Sequence, residues 1–597
     1  MDAAAASNRH RDRWIIALLI LAALIPFIRA VFFPYVYDDR AIIRTNPDIR
    51  GWSSLITVWG KPYWQGAVDA GFYRPAFVAL LATVWNLGGH FPIWFHLFAI
   101  ALHAAATVAI WRMLRRAVSG TPATLAALWF AVLPVHIEAV ANVANSSEVV
   151  VALWSCVLAL VLARIDARVP ADRAVPWTAA IGVGLILLAT FLSKESGIVA
   201  PFAAAVWVWG WRTPSAPRQE RWRVVARQSL ARWWRVLAAC VIAAVVVLVA
   251  RRIVLGGFVG APVAPGLADL SGWQRIWAMS SLGPRVAEVL AWPRTINPEY
   301  GPTTLRHFGP SLPAVATVMA FATAVALAIR NARAGDRRLF AAIAWFAIMF
   351  APASNLLAAT PQILTERTLY GPSIALALAS ALLLSSVVSR VTAAFNTESR
   401  PRSIRLAIGG AMTVLIVATG LRCMELSRVW QSNEAVFRQM VVADSLSYRG
   451  YWKLAALEKS RNRMAESLVL FDRAYRLYPR DRQLLADYAQ LLLEQRQPVR
   501  AATVARGLMA WPDVRRMPNV VALYLDALGQ AYGADSVIHA GRVLFADDRT
   551  PTAALFLGAA HEARGEPAAA EASYRAGLRA SPGDTALRRR LAVLGRR

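Results

Sequence analysis

Two adjacent carboxylates follow the first hydrophobic segment, where residues 34–46 read PYVYDDRAIIRTN and place Asp38 beside Asp39. Removing a carboxylate from water is expensive, so a pair of them close to a membrane needs an explanation. One explanation is a catalytic site, because a positioned carboxylate can take the proton from an attacking hydroxyl group. The alternative is a solvated loop. A divalent metal is a third possibility, but adjacent aspartates lack the alternate spacing of metal-binding loops, and we predict no metal ligands.

Further ionisable groups lie at the ends of apolar segments, in the stretches VHIEAV, LSKESG and TERTLYG and before a proline in the first loop. Cations at such places can hold a phosphate group, and carboxylates can orient a polar substrate. Each of them also has a structural interpretation, such as a satisfied histidine or a neutralised Lys194–Glu195 pair. The candidate set for substrate or phosphate binding is Arg74, His136, Glu138, Lys194, Glu195, Glu366, Arg367 and Tyr370.

The composition predicts an all-α, polytopic membrane protein. Of the 597 residues, 57% are hydrophobic and only 17% are charged, and the mean hydropathy is +0.43. Soluble chains of this length are rarely so apolar. Apolar runs long enough to span a bilayer predict about eleven transmembrane helices. The runs are 14–34, 92–111, 122–141, 148–164, 177–193, 196–211, 236–255, 311–329, 339–357, 366–388 and 404–424.

Arginines mark one side of the predicted membrane domain. The N-terminus and every second connection together carry 24 arginines against seven acidic residues, which is +17 of the net charge of +29. The positive-inside rule makes this side cytoplasmic, so the charge does not call for a nucleic-acid partner. The loops at about 35–91 and 256–310 and the C-terminal segment then lie outside. Both loops contain amphipathic pieces that we expect to lie along the membrane.

Helical repeats follow the membrane domain. Phe471 and Tyr574 occupy equivalent positions of tetratricopeptide-like units and lie 103 residues apart, close to three 34-residue periods. Two degenerate units lie between them. We therefore divide the chain into a multi-span domain (1–425) and an extracytoplasmic helical solenoid (426–597), which serves either to bind peptides or partner proteins or as a structural cap.

The stretches YDDRAIIRTNPDI, VHIEAV, LSKESGI and TERTLYGPS, followed by these repeats, resemble the transmembrane and tetratricopeptide-repeat-containing O-mannosyltransferase family over essentially the whole chain. This family belongs to the C-type, polyprenyl-phosphate-dependent glycosyltransferases. The resemblance implies a membrane glycosyltransferase that moves a sugar, mannose in the family, from a polyprenyl-phosphate carrier to an acceptor hydroxyl of a protein or peptide at the extracytoplasmic face. The alanine- and arginine-rich composition further favours a bacterial inner-membrane protein, with an undecaprenyl carrier and periplasmic repeats.

By this resemblance Asp38 and Asp39 match the acidic pair of the first loop, and we assign Asp38 as the general base, with Asp39 as the alternative or a supporting partner. Arg367, Lys194 and Arg74 are expected to hold the phosphate, while His136, Glu138 and Glu195 orient the sugar or the acceptor. No cofactor is expected beyond the lipid-linked sugar donor. Three other interpretations remain: a lipid-linked polysaccharide ligase or polymerase, a transporter, and a non-catalytic membrane anchor for a repeat scaffold. Midplane charges and an inverted repeat, which a transporter predicts, are not evident in the sequence.

Overall fold

The computed structural model describes residues 2–64, 71–118, 120–211, 222–257, 263–394 and 400–596. Within these ranges the regular secondary structure is helical and no strand occurs, as the sequence predicts. The predicted arginine-rich connection after Trp211 lies partly outside the described residues, at 212–221, as do parts of both predicted external loops, at 65–70 and 258–262. The chain divides into two compact units, Met1–Gln439 and Met440–Arg597.

In the described part of the first unit, sixteen α-helices precede the segment that leads into the second unit. They are α1 (Asp2–Leu24), α2 (Ser54–Thr57), α3 (Pro75–Gly88), α4 (Pro92–Ala117), α5 (Thr121–Ala131), α6 (Ile137–Ala141), α7 (Ser147–Arg168), α8 (Trp177–Phe191), α9 (Ala200–Trp211), α10 (Trp222–Leu255), α11 (Gly272–Ser280), α12 (Gly283–Ala291), α13 (Leu312–Arg333), α14 (Arg338–Phe350), α15 (Tyr370–Ala394) and α16 (Arg400–Ser427).

All eleven apolar runs are helical in the structure, but they differ in length. Among the described residues, seven helices are long and apolar enough to cross a membrane, and an eighth span results if the bent pair of α5 and Pro134–Ala141 counts as one. The protein is therefore a multi-pass membrane protein. Helices α8, α9 and α14 have only 15, 12 and 13 residues. They cover about 18–22 Å, less than the roughly 30 Å of a hydrocarbon core.

Polar 3₁₀ turns lie where these short or broken helices end. Helix α5 stops at Ala131, and the chain bends by 49° before Pro134–Ala141. A turn at Glu195–Val199 separates α8 from α9, and a turn at Glu366–Leu369 leads into α15. The Glu366–Leu369 turn contacts α6, and the Glu195–Val199 turn contacts the end of α14. These contacts place the turn before α15 beside α6 and the turn before α9 beside the end of α14.

The described part of the first loop packs against the helices rather than lying in solvent. Ile43, Ile49 and Tyr63 are buried in an apolar cluster that also contains Phe77 of α3 and Phe95 of α4. This cluster holds the Asp38–Asp39 segment against the body of the first unit. In the later loop, the predicted amphipathic sequence forms two helices, α11 and α12. Ser271 caps the first of them with a reciprocal side-chain and backbone pair to Gln274.

The second unit is a stack of helix pairs, in agreement with the predicted repeats. Helix α17 (Asn433–Ala443) leads into it. Four antiparallel pairs and a last helix follow: α18 (Tyr448–Ser460), α19 (Met464–Leu477), α20 (Arg482–Glu494), α21 (Pro498–Leu508), α22 (Pro518–Tyr532), α23 (Ala534–Asp548), α24 (Pro551–Ala563), α25 (Pro567–Ala580) and α26 (Thr585–Leu594). The rings of Phe471 and Tyr574 are buried inside their pairs.

Candidate active site

A cavity of about 280 Å³ lies at the junction of the polar turns. The first loop, the start of α7, the turn before α9, the end of α14 and the segment before α15 all contribute to its wall. Its ionisable lining residues are Asp38, Arg74, Glu148, Lys194, Glu195 and Arg367. Aromatic and aliphatic side chains, among them Tyr63, Trp64 and Met349, form the rest of the wall. Three cations and three carboxylates thus share one small cavity with apolar surfaces.

Asp38 lies on the cavity wall, half-buried, directly after a residue in an unusual backbone conformation. Tyr37 has a φ of 55°, in the left-handed region that side chains other than glycine rarely adopt. Two contacts hold it there. Its backbone N–H donates to Asn433 Oδ1 at 2.9 Å, and its hydroxyl donates to Glu299 at 2.9 Å. Strained residues that are fixed in this way cluster at functional sites, and here the strain sets the position of Asp38.

Asp39 has a different environment from Asp38. It is 1% exposed, does not line the cavity, and accepts a hydrogen bond from the Ala144 N–H at 2.7 Å through Oδ1. Burial raises the pKa of Asp39 to about 7, and the charge of Asp38 adds to the rise, while the Ala144 N–H opposes it. The Tyr63 hydroxyl donates to the carbonyl of the same Ala144 at 3.1 Å. Asp39 therefore fastens the first loop to the turn that precedes Glu148.

Two of the three cavity cations form ion pairs across the cavity wall. Arg74 Nε lies 2.9 Å from Glu195 Oε2, and Lys194 Nζ lies 2.9 Å from Glu148 Oε1. Burial lowers the pKa of Lys194 to about 8 although Glu148 opposes the change. Burial raises the pKa of Glu195, but Arg74, the backbone N–H of Glu195 and Lys194 together outweigh burial and hold that pKa below its usual value. Arg74 uses Nε for Glu195, and its two Nη groups make no hydrogen bond to another described residue, so they can donate to a ligand.

The neutralised Lys194–Glu195 pair that the sequence allows does not form. The backbone of Lys194 is extended, with φ −166° and ψ 147°, so neighbouring side chains point in opposite directions. Each of them instead meets a partner from another helix or loop.

The third cation, Arg367, joins the cavity to a buried carboxylate behind it. Its backbone N–H donates to Glu138 Oε2 at 2.9 Å, and Nη1 donates to Glu138 Oε1. Glu138 is 4% exposed and does not line the cavity. It therefore positions Arg367, whose Nε and Nη2 have no hydrogen-bond partner in the described parts of the chain and can donate to a ligand.

Glu366 lies in a separate cluster. Its Oε1 accepts hydrogen bonds from Arg285 Nη2 at 2.9 Å, from the Asn297 N–H at 2.9 Å and from the Tyr300 hydroxyl at 2.8 Å. Arg285 and Tyr300 belong to the loop at 256–310. Glu366 thus attaches that loop to the start of α15 rather than facing the cavity.

His136 and Tyr370 are buried among helices. His136 Nε2 lies 2.9 Å from Ser373 Oγ, and the Tyr370 hydroxyl lies 2.7 Å from His103 Nδ1. Their rings pack against each other with centroids 4.5 Å apart. Neither residue lines the cavity, so both shape the helix junction from behind it.

The candidate residues fall into two groups. Asp38, Arg74, Lys194, Glu195 and Arg367 line the cavity, whereas the other five stand behind its wall. Those five are Asp39, His136, Glu138, Glu366 and Tyr370.

Several polar lining residues are absent from the candidate set, among them Glu148, Asn145 and Ser196. Glu148 lies at the start of α7, and the stretch ANSSEV in which it lies could have drawn attention to it. Asn145 Nδ2 and Ser196 Oγ are buried at the cavity and have no hydrogen-bond partner in the described chain. Buried donors without partners are rare in native proteins and mark places where a ligand can bind. Among the described residues, no group of three or more His, Cys, Asp or Glu side chains is arranged to hold a metal ion.

Comparison with known proteins agrees with the sequence resemblance. A family described as Tetratricopeptide repeat matches residues 551–594. The protein O-mannosyl-transferase Tmtc3 of Drosophila melanogaster is 24% identical over 522 residues, which cover 78% of this chain and 55% of Tmtc3. Tmtc1 of the same organism is 30% identical over 200 residues, 33% of this chain and 23% of Tmtc1. The chain thus spans about half or less of the length of these curated relatives.

Among solved structures, an Archaeoglobus fulgidus oligosaccharyltransferase tethered with an acceptor peptide aligns with a TM-score of 0.36 and 15% identity, over 70% of this chain and 55% of the oligosaccharyltransferase. The resemblance found in the sequence is confirmed by the named relatives: this chain is a homologue of the protein O-mannosyl-transferases and carries a tetratricopeptide repeat near its C-terminus.

Proposed function

We propose that this protein is a membrane glycosyltransferase that moves a sugar, mannose by analogy with its named relatives, from a polyprenyl-phosphate carrier to a hydroxyl group of a protein. The observation that carries the proposal is the cavity that holds Asp38 together with Arg74, Lys194 and Arg367. The names of the relatives support the reaction class. Bacterial origin, the undecaprenyl carrier and the periplasmic side of the site form part of the same proposal.

In the proposed reaction, the acceptor hydroxyl oxygen attacks the anomeric carbon of the donor sugar. The bond between that carbon and the phosphate oxygen breaks, and polyprenyl phosphate leaves. Asp38 takes the proton of the hydroxyl group as general base. Arg74, Lys194 and Arg367 offer N–H donors to the phosphate, where negative charge accumulates. Asn145 and Ser196 supply polar groups that can bind sugar hydroxyls.

Sugar transfer in isolated membranes tests the proposal. Radiolabelled polyprenyl-phosphate mannose is the donor, endogenous protein is the acceptor, and wild type is compared with Asp38→Asn at matched expression. Asp48→Asn is the control, because Asp48 is a partly exposed carboxylate of the same loop outside the cavity. We expect Asp38→Asn to lower kcat by about 10²- to 10⁴-fold without raising KM for the donor. The control should transfer like wild type.

Three outcomes would refute parts of this reasoning. If wild type transfers label and Asp38→Asn transfers equally well, Asp38 is not the base. If wild type transfers no label, the membrane-anchored scaffold becomes the better interpretation. If label enters a product that resists protease, the acceptor is not protein, and the polysaccharide ligase or polymerase is favoured instead.

A further inference from the structure

A second cavity, of about 520 Å³, lies between α1, α4 and α7. On α7 it lies toward the opposite end of the helix from the candidate active site. Helix α7 contributes to both cavities, with Glu148 in the first and Arg164 in the second, sixteen residues apart. At 1.5 Å per residue the two lie about 24 Å from each other along the helix. The arginine pattern predicts that this end is cytoplasmic.

The wall of this second cavity is strongly basic. Its charged lining residues are five arginines and one aspartate: Arg13, Arg112, Arg115, Arg116, Arg164 and Asp12. Arg115 forms an ion pair with Asp12 at 2.6 Å. The other four arginines make no ion pair with another described side chain, and they are exposed. The cavity therefore carries a net charge of +4 and offers guanidinium groups whose geometry matches phosphate.

The apolar part of the wall lies on the membrane side of the arginines. Ile16 of α1 and Val157, Leu160 and Val161 of α7 line the cavity. On α7, Val157, Leu160 and Val161 precede Arg164 by seven, four and three positions, so they share one helix face with Arg164. A ligand in this cavity therefore meets cations at one end and aliphatic side chains at the other. A phospholipid, with a phosphate headgroup and acyl chains, has this same division.

We propose that this cavity binds the headgroup of an anionic phospholipid, preferably one that carries two phosphates. One phosphodiester brings a single negative charge and is satisfied by one or two arginines, whereas four arginines here lack a carboxylate partner. Basic pockets between transmembrane helices at the cytoplasmic face are a known type of site for such headgroups. The proposal is independent of the reaction proposed for the first cavity. A soluble phosphate could use the same arginines, but it would leave the aliphatic wall without contact.

Lipid binding to the delipidated full-length protein in detergent tests the proposal. Thermal unfolding and native mass spectrometry are followed with diphosphatidylglycerol, phosphatidylglycerol, phosphatidylcholine and inorganic phosphate. We expect diphosphatidylglycerol to bind most tightly and phosphatidylcholine to have little effect. The double variant Arg112→Gln/Arg164→Gln should weaken binding by roughly fivefold per arginine removed. The charge-preserving variant Arg112→Lys/Arg164→Lys should stay within a few-fold of wild type.

The matched control is Arg330→Gln/Arg333→Gln, which removes two exposed arginines at the end of α13, outside this cavity. If the control weakens binding as much as Arg112→Gln/Arg164→Gln, the effect is general surface charge, and the proposal is wrong. It is also wrong if inorganic phosphate stabilises the protein as strongly as the lipids. A third test uses wild type alone and therefore does not depend on the folding of any variant. If diphosphatidylglycerol and phosphatidylcholine stabilise wild type equally, the proposal is refuted.

Discussion

Replacing Asp39 by asparagine should stabilise the protein at neutral pH, although Asp39 lies beside the proposed catalytic base. The carboxylate is buried, and its Oδ1 accepts from the Ala144 N–H at 2.7 Å. Asparagine can keep this bond through its own Oδ1 and carries no charge. The substitution thus removes the cost of burying an ionised group without losing the contact that fastens the loop.

The size of the effect follows from the pKa of Asp39, which burial raises from 3.8 to about 7. Since the folded protein binds the proton more tightly than the unfolded chain, the unfolded state releases it first as pH rises. The free energy of unfolding therefore falls between about pH 4 and pH 7 and levels off above that range. The difference between the two pKa values corresponds to about 4 kcal/mol. Asp39→Asn should lack this fall.

The assay is thermal unfolding of the purified protein in detergent at several pH values between 5 and 8. The gap between Asp39→Asn and wild type should grow with pH and reach a few degrees at pH 8. Asp48→Asn, in the same loop but partly exposed, should follow the wild-type curve. Asp39→Ala separates charge from contact, because it leaves the Ala144 N–H unpaired and should be less stable than Asp39→Asn. Parallel curves for Asp39→Asn and wild type would show that Asp39 ionises as in water, and the reasoning would fail.

Three further predictions follow from the same contacts. Lys194→Met leaves Glu148 buried without its partner and should destabilise the protein by about 3 kcal/mol. The double variant Lys194→Met/Glu148→Gln should regain this stability but should not regain sugar transfer. Equal melting temperatures for the single and the double variant would contradict this prediction. Gly558→Ala would place a Cβ 2.2 Å from the Tyr574 ring. It should destabilise the repeats by about 1–3 kcal/mol, seen as faster proteolysis, while Gly583→Ala, with open space around it, should not. Sugar transfer should persist in excess EDTA, since we predict no metal ligands, and a loss reversed by added divalent cation would refute this.

The positions of the helices could be predicted from the sequence, but their lengths could not. Hydrophobicity locates an apolar run because every residue in it favours the same environment. It does not show where the backbone leaves the helix inside such a run. The predicted run 339–357 is helical only as far as Phe350, and 196–211 begins its regular helix at Ala200. A 3₁₀ turn occupies 196–199 in the second run, whereas in the first a 3₁₀ turn at 351–353 is followed by bends. The turn before α9 brings Glu195 and Ser196 to the cavity, and the turn after α14 contributes Pro352 and Ala353 to its wall.

The membership of the cavity was only partly predictable. The sequence groups the candidate residues because all of them lie at the same predicted side of the membrane. Lying at the same side does not determine which side chains contact each other. The deciding pairs join positions far apart in the chain, such as Arg74 with Glu195 and Arg367 with Glu138, separated by 121 and 229 residues. Periodicity gives no signal for such pairs. Asp38 and Asp39 could not be told apart for the same reason, because their difference depends on the distant Ala144.

The pairing of charges in the cavity has a consequence for the proposed transfer. The donor phosphodiester carries one negative charge, and Asp38 carries another. After transfer the departing phosphate monoester carries two negative charges, and Asp38 is neutral. The total charge in the cavity is therefore the same before and after the reaction, and it only moves from Asp38 toward Arg74, Lys194 and Arg367. A wall whose cations are already held in place by Glu195, Glu148 and Glu138 can favour this movement without rearranging, which is the condition under which fixed charges accelerate a reaction most.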